Sequence, residues 1–446
     1  MWVKGMTEHN ARVSPLKPGV PDDLIHAVSG VAILMSTSPP VGHKAIKLHP
    51  RDLRLGMYVC ALDRPWLDSP FLFQGFILST EQELQTLHEL CDFVLIDPER
   101  SPQLQITAER LAQSDSSDKI HYPVEVEIEE EIAKATVLYS SALEDIHQAL
   151  ATVAGGDALS ATAVMATVKG CLESVMRNPS ALMWLTRIKH VDQYTAEHCL
   201  NVGIQAMVFA RFLGLPVDQI ELLGVCGMLH DVGKMSVDQT VLNKPGQLTF
   251  DEFEHIKLHS VFGRDALLQD PHLPKQVVTV AYSHHERIDG QGYPLGLPAQ
   301  EIDQLTRLIT VVDAYDAITS RRCYSDSNSS ETALKILYQH RNTQFDEALV
   351  LRFIECIGVY PPGTLVEMNS GEVGIVLSVD QAYRLQPRVA LILDAHKQSM
   401  QQRVIDLRAE KSAHPGSAMK IARVLVDGAY GVDLEVFTRE NIRLGR

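Results

Sequence analysis

The chain has 446 residues, 45% of them hydrophobic, which is enough to bury a large core divided among two to four domains. A formal net charge of −16 excludes a nucleic-acid polymer as partner, and no apolar run approaches the ~20 residues of a membrane span. Seven cysteines, odd in number and without a CxxC pair, exclude a disulfide framework and a thiolate zinc site.

Residues 1–44 carry Pro15, Pro18, Pro21, Pro39 and Pro40 without sustained periodicity, so they read as a disordered arm, with Met35 as an alternative start. The apolar stretch Leu24–Met35 lacks a basic cluster and a cleavage site, and the expected location is therefore cytoplasmic. Residues 45–100 have the texture of a small α+β domain. Gly56–Leu62 and Phe71–Leu78 predict strands, Thr80-Glu-Gln-Glu83 predicts a capping box opening a helix to Cys91, and Phe93–Ile96 predicts a returning strand. Residues 101–123 are polar and predict a linker.

Residues 124–180 predict connecting helices. The run Val124–Glu131 reads as a solvated charge run that leads into a helix ending at Val153, before Gly155-Gly156. Val137, Leu138, Ser141, Ile146, Leu150 and Val153 mark its expected buried face, and a second helix spans 158–177 up to Asn178-Pro179. These helices are expected to pack on the core or to pair between subunits.

The core, residues 181–358, predicts helices over 180–188, 192–212 and 217–229. Tyr194, His198, Val202 and Ala206 share one helical face, which points His198 inward. His230-Asp231 ends the third helix, Thr249-Phe-Asp-Glu252 caps a helix expected to carry both His255 and His259, and His284-His285 ends the next. The Gly-rich loop Glu286–Leu297 follows, then a helix over 305–320 on which Asp313 and Asp316 are costly unless paired or metal-bound. Further helices are predicted near 331–340 and 345–357.

The ligand-type residues recur at 32 (His198 to His230), 29 (His230 to His259), 25 (His259 to His284) and 28 residues (His285 to Asp313). A helical hairpin consumes roughly 25–30 residues, so such ligands return to one level of an antiparallel bundle. Imidazoles with carboxylates suit Zn, Fe, Mn or Ni, and Asp231, about 100° around a helix from His230, is free to bridge two ions. Beyond Tyr360-Pro-Pro-Gly363, residues 359–446 contain Thr364–Met368, Glu372–Leu377 and Val389–Leu393, which predict a small β-rich domain.

Four motifs in one order carry a resemblance to a known family: His230-Asp231-Val-Gly-Lys234, Lys244-Pro-Gly246, His284-His285-Glu-Arg-Ile-Asp-Gly-Gln-Gly-Tyr293-Pro294, and Asp313-Ala-Tyr-Asp316 through Arg322-Cys-Tyr324. They resemble the HD-GYP phosphodiesterases over about residues 185–345, and the domain at 45–100 is similar to an accessory domain found in a subset of that family. The implied fold is multidomain and mainly α, an HD-type helical bundle between a small α+β N-terminal domain and a small β-rich C-terminal domain.

The resemblance implies in-line hydrolysis of cyclic di-GMP to linear pGpG and on to GMP, assisted by two divalent transition metal ions (Fe, Mn or Ni). It places His198, His230, Asp231 and Asp313 around one ion and Asp231, His259, His284 and His285 around the other. Lys234 and Arg322 are the implied phosphate contacts, and Tyr293 shapes the substrate mouth. Some members hold a third ion with a Glu where this chain has Tyr194, a poor ligand near neutrality, so two ions are expected. Ser325 departs from the basic residue frequent after the family's Tyr. Expected partners are the cyclic dinucleotide and signalling proteins such as diguanylate cyclases, with no membrane, and the chain is a candidate homodimer. The competing readings are a catalytically weak regulatory module that binds cyclic dinucleotides, and a phosphodiesterase for another cyclic dinucleotide.

Overall fold

The computed structural model describes residues 46–64, 75–78, 81–97, 120–188, 194–244, 246–320, 329–380, 383–413, 418–426 and 428–432, with Leu434 and Phe437. The arm expected over 1–44, most of the linker and the Arg322–Ser325 segment lie outside these residues.

At the N-terminal end, β1 (Ile46–Leu48), β2 (Tyr58–Leu62), β3 (Phe76–Ile77) and β4 (Val94–Asp97) form an antiparallel sheet in the order β1-β4-β2-β3, covered by α1 (Glu81–Leu90). Val59, Leu78, Leu84, Leu87, Val94 and Ile96 make a core of their own. This matches the α+β expectation. The described part of the second predicted strand pairs only at Phe76–Ile77.

The long helix α2 (Ile128–Ala154) opens with Glu129, Glu130 and Glu131 in its first turn, where carboxylates favour the helix N-terminus. Its buried stripe runs through Ile128, Ile132, Ala135, Tyr139, Ala142, Ile146, Leu150 and Val153. The expected face was partly misplaced: Val137 is 73% exposed and Ser141 is also exposed. Ile146, Leu150 and Val153 lie on the stripe as expected, and Leu138 packs at its edge, while a carboxylate and a phenol take core positions that hydrophobicity alone does not mark. That carboxylate, Glu131, is fully buried and corrects the reading of its run as solvated. Arg177, at the end of α3 (Ala161–Arg177), grips it through Nε at 2.8 Å and Nη2 at 2.7 Å, while Ser174 Oγ donates at 2.8 Å.

Asn178 then caps α4 (Pro179–Leu185), accepting from Ser180 N, with Pro179 at the first helical position where no N–H is needed. Helices α5 (Tyr194–Leu213) and α6 (Val217–Leu229) cross so closely that a Cβ on Gly227 would lie 2.7 Å from Gly203 Cα. Only glycine permits that approach, and it brings the ends of the two helices together. A short α7 (Gln239–Leu242) leads to α8 (Phe250–Lys257), whose capping box between Thr249 and Glu252 forms as expected. The predicted single helix carrying His255 and His259 is instead two. The Leu258 N–H bonds back three residues to the His255 carbonyl, and α9 (His259–Leu267) starts anew. Helices α10 (Lys275–Ser283), α11 (Gln304–Thr319), α12 (Ser330–Gln339) and α13 (Glu347–Ile357) complete the bundle.

The C-terminal strands β5 (Leu365–Met368), β6 (Val373–Ser378), β7 (Arg388–Leu393), β8 (Ser399–Asp406) and β9 (Ile421–Val424) form an antiparallel sheet in the order β8-β7-β6-β5-β9, with α14 (Leu407–Ala413) after β8. Alternation divides its side chains. Leu365, Val373, Ile375, Leu377, Ala390 and Ile392 join the helical core, whereas Val366, Met368, Val376, Val389 and Leu391 face the opposite side. Arg388 adds a polar tie to α2, meeting Glu127 at 2.6 Å and Glu129 at 2.5 Å.

Candidate metal centre

The crossing of α5 and α6 places His198, on α5, beside His230, which caps the C-terminus of α6. Asp231 follows with φ −105° and ψ 10°, outside the helical region. The doublet therefore diverges because α6 stops, and not because a helix continues through it. Val232–Ser236 forms a tight 3-10 turn carrying Lys234, and Gly233 lies against the backbone of His259 and Gly263. His259 sits at the start of α9, His284 and His285 follow the end of α10, and Asp313 projects from α11.

All seven are buried and form two groups. One holds Asp231, His259, His284 and His285, the other His198, His230 and Asp313, and within each group one ligand atom per residue lies within 4.8 Å of all the others. Asp231 straddles the two. Its Oδ1 faces His259 Nε2 at 3.4 Å and His284 Nε2 at 3.6 Å, while Oδ2 faces His230 Nε2 at 3.3 Å and His198 Nε2 at 3.5 Å. Asp313 Oδ1 closes the second group, 3.0 Å from His198 Nε2 and 3.7 Å from His230 Nε2.

The outer ring nitrogens fix how the imidazoles point. Nδ1 donates to Gly227 O in His230 (2.6 Å), to Ile256 O in His259 (2.7 Å) and to Ala281 O in His284 (3.0 Å). In His198 it donates to Asp316 Oδ2 at 2.8 Å. A carbonyl can only accept, so in the neutral imidazole Nε2 is the lone-pair nitrogen, aimed inward. The Nε2 atoms of His259 and His284 then face each other at 3.4 Å, and His230 Nε2 and Asp231 Oδ1 are buried without a hydrogen-bond partner. Buried lone pairs arranged in this way are costly unless a cation lies among them. The donor set of imidazoles and carboxylates, with Nδ1 anchored behind, fits divalent transition metals.

Burial opposes the imidazolium throughout, yet at His230 the carboxylates of Asp231 and Asp313 prevail and push its pKa up to about 10. At His259 burial prevails, reinforced by His284 and Lys234, and lowers it to about 3. Burial would also raise Asp231 and Asp313, but their cationic neighbours hold both well below the ordinary carboxylate range. The pocket thus favours positive charge next to its acids.

Lys234 Nζ donates to Asp231 Oδ2, and its side chain remains 19% exposed at the edge of the pocket. Tyr293 lies against the group of Asp231, His259, His284 and His285, its ring 4.7 Å from that of His285 and 6.3 Å from that of His259. Arg322 lies outside the described residues, and His255, on α8, is half-buried and belongs to neither group.

The two acids expected to be paired or metal-bound divide those roles: Asp313 joins the ligand atoms, and Asp316 is paired through hydrogen bonds. Asp316 stands behind His198, where it also accepts from Gln205 Nε2 at 3.1 Å and Ser320 Oγ at 3.0 Å. Gln205 was missed, although its place seven residues after His198 puts it on the same helical face. Also missed were Thr310, whose hydroxyl donates to His284 O at 2.8 Å, and Glu286. The buried Glu286 carboxylate accepts from the backbone of Leu295 (2.7 Å), Gly296 (3.2 Å) and Leu297 (2.9 Å) and so holds the loop that carries Tyr293. No periodicity signals that contact.

Family profiles match three stretches: "HD domain" at residues 185–349, "Domain of unknown function (DUF3391)" at 45–164, and "KOW domain associated with HD domain" at 365–419. The cyclic di-GMP phosphodiesterase PA4108 of Pseudomonas aeruginosa is 36% identical over 361 residues, 80% of this chain and 87% of that protein. The cyclic di-GMP phosphodiesterase response regulator RpfG of Xanthomonas campestris is 35% identical over 36% of this chain and 43% of its own. The 3'3'-cGAMP-specific phosphodiesterase 3 of Vibrio cholerae is 30% identical over 38% and 36%. No helix among the described residues is long and apolar enough to cross a membrane.

Proposed function

The chain belongs to the HD-domain family of cyclic di-GMP phosphodiesterases, and from that premise we propose that it hydrolyses cyclic di-GMP to linear pGpG and on to GMP at the seven-residue centre. The observation that carries this reading is the convergence of inward-facing Nε2 atoms on an Asp231 carboxylate with a buried, unpartnered oxygen. His198, His230, Asp231 and Asp313 would hold one divalent ion, and Asp231, His259, His284 and His285 a second, with Fe, Mn or Ni preferred. Bound there, such ions supply Lewis-acid polarisation of the phosphoryl group and neutralise its charge.

The remaining work belongs to the protein's own groups. Lys234, partly exposed beside Asp231, presents its ammonium to a phosphate oxygen of a diester entering the pocket. Asp316 keeps His198 in the tautomer that turns Nε2 inward. Tyr293 walls one side against His285, and Arg322 is assigned to a second phosphate contact by its place in the motif.

The test is anaerobic reconstitution with Fe, Mn or Ni followed by turnover of a cyclic dinucleotide panel. Cyclic di-GMP should be consumed, with two metal ions per chain by elemental analysis. A third fully occupied ion at the Tyr194 end of α5 would overturn the two-ion count. The identity to a 3'3'-cGAMP-specific enzyme makes 3'3'-cGAMP the second substrate in the panel.

A further inference from the structure

Three side chains, Tyr293, Lys257 and Phe253, form a line that leaves the ligand histidines and runs out to the surface. The Tyr293 ring lies 4.7 Å from the His285 ring, inclined by 34°. The Lys257 ammonium stands 5.7 Å from the centroid of Tyr293 and 5.4 Å from that of Phe253, so one cation sits between a ring at the pocket and a ring on α8. Phe253 is 36% exposed, and Phe250, nearly one turn earlier on the same helix, is 77% exposed. Isolated exposed apolar residues need no explanation. Two exposed phenyl rings on adjoining turns, Phe253 joined through a lysine to the wall of the pocket, form a patch of the kind that marks a binding surface.

The chemistry of the patch selects its occupant. A phenyl face offers a stacking platform to any nucleobase, and an adjacent ammonium suits the phosphate that the base accompanies. Lys257 is already paired with Glu254 at 2.5 Å, so its charge is partly spent and the ring faces are the principal recognition element.

We propose that Phe253, supported by Lys257, is a positioning platform on which one nucleobase of a cyclic dinucleotide stacks while the scissile phosphate occupies the metal centre. The proposal rests on the substrate reading above and adds the element that distinguishes a dinucleotide from a simple phosphodiester. It makes α8, which contributes no ligand to either group, a determinant of KM.

The test compares the full-length Mn-loaded protein with Phe253→Ala, Phe253→Tyr and Lys257→Gln, on cyclic di-GMP and on methyl p-nitrophenyl phosphate, a diester without a nucleobase. Calorimetric Kd values for a non-hydrolysable phosphorothioate analogue of cyclic di-GMP accompany the kinetics. Phe253→Ala is expected to raise KM and Kd for the dinucleotide about tenfold, the factor equivalent to about 1.4 kcal/mol of stacking, with kcat within about twofold. The kcat/KM preference for the dinucleotide over the simple diester should fall by the same factor. Phe253→Tyr should restore most of it, and Lys257→Gln should raise KM about threefold. Unchanged KM and Kd in Phe253→Ala, or equal loss on both diesters, overturns the platform and leaves the phosphodiesterase reading intact. A parent protein that turns over only the simple diester overturns both.

Discussion

At Asp231 a single carboxylate faces both histidine groups, one oxygen to each. Removing it deprives two sites at once, and among the described residues no other acid belongs to both groups, since Asp313 closes only that of His198 and His230. Asp231→Ala should therefore lose both bound metals and all turnover, and undiminished metal in the purified variant would refute the bridging role. Lys234 differs because it touches Asp231 from the pocket edge. Lys234→Ala should keep its metal and lose about 1.5–3 kcal/mol in kcat/KM, the range of a charge-assisted hydrogen bond. Unchanged turnover at subsaturating substrate would remove the lysine from the reaction. The residues of the two groups were legible because metal ligands must be His or acid and must recur where helices return to one level. Behind them, Asp316 was legible only as an acid that needed a partner and Gln205 only by its spacing from His198, whereas Glu286 and Thr310 act through hydrogen bonds to distant backbone that leave no periodic trace.

Among the elements, α2 shows where sequence patterns succeed and fail. Its length and its end before Gly155-Gly156 follow from local signals, as do the limits of α6 and the capping box of α8. Its phase did not, because Glu131 occupies a core position that only Arg177 and Ser174, more than forty residues away, make tolerable. Strand β8 escaped for the complementary reason: seven of its eight residues are not fully buried, so no alternation marks it. Burial alone would raise the Glu131 pKa, but the Arg177 fork and the Ser174 hydroxyl outweigh it and lower the pKa below the usual value. The sign follows. The stabilisation is complete above the unfolded value of about 4.3 and is lost as pH falls through the lowered folded value. Glu131→Gln should cost about 1–3 kcal/mol near neutrality. In denaturant melts at successive pH values, the gap between parent and variant should close below about pH 4. A pH-independent gap would show that the carboxylate charge contributes nothing.

Across the whole molecule, the question is what fastens the C-terminal sheet to the bundle. The Arg388 clamp is prominent, but Glu127 is largely exposed, and ion pairs so placed contribute at most about 1 kcal/mol. The apolar seam of Leu365, Val373, Ile375 and Leu377 is fully buried, and truncating one such side chain costs about 2–5 kcal/mol. Ile375→Ala should therefore lower thermal stability by several degrees more than Arg388→Ala. The reverse order would make the clamp the principal fastening.

The seam also constrains how the protein can be divided. A chain ended near Pro361 would retain every histidine and aspartate of the centre, yet it would present to water the surface that the inner face of β5, β6 and β7 now covers. Bared apolar ground of that kind drives association between copies. The bundle, released by proteolysis or truncation, would accordingly be recovered as aggregate and not as a smaller working enzyme.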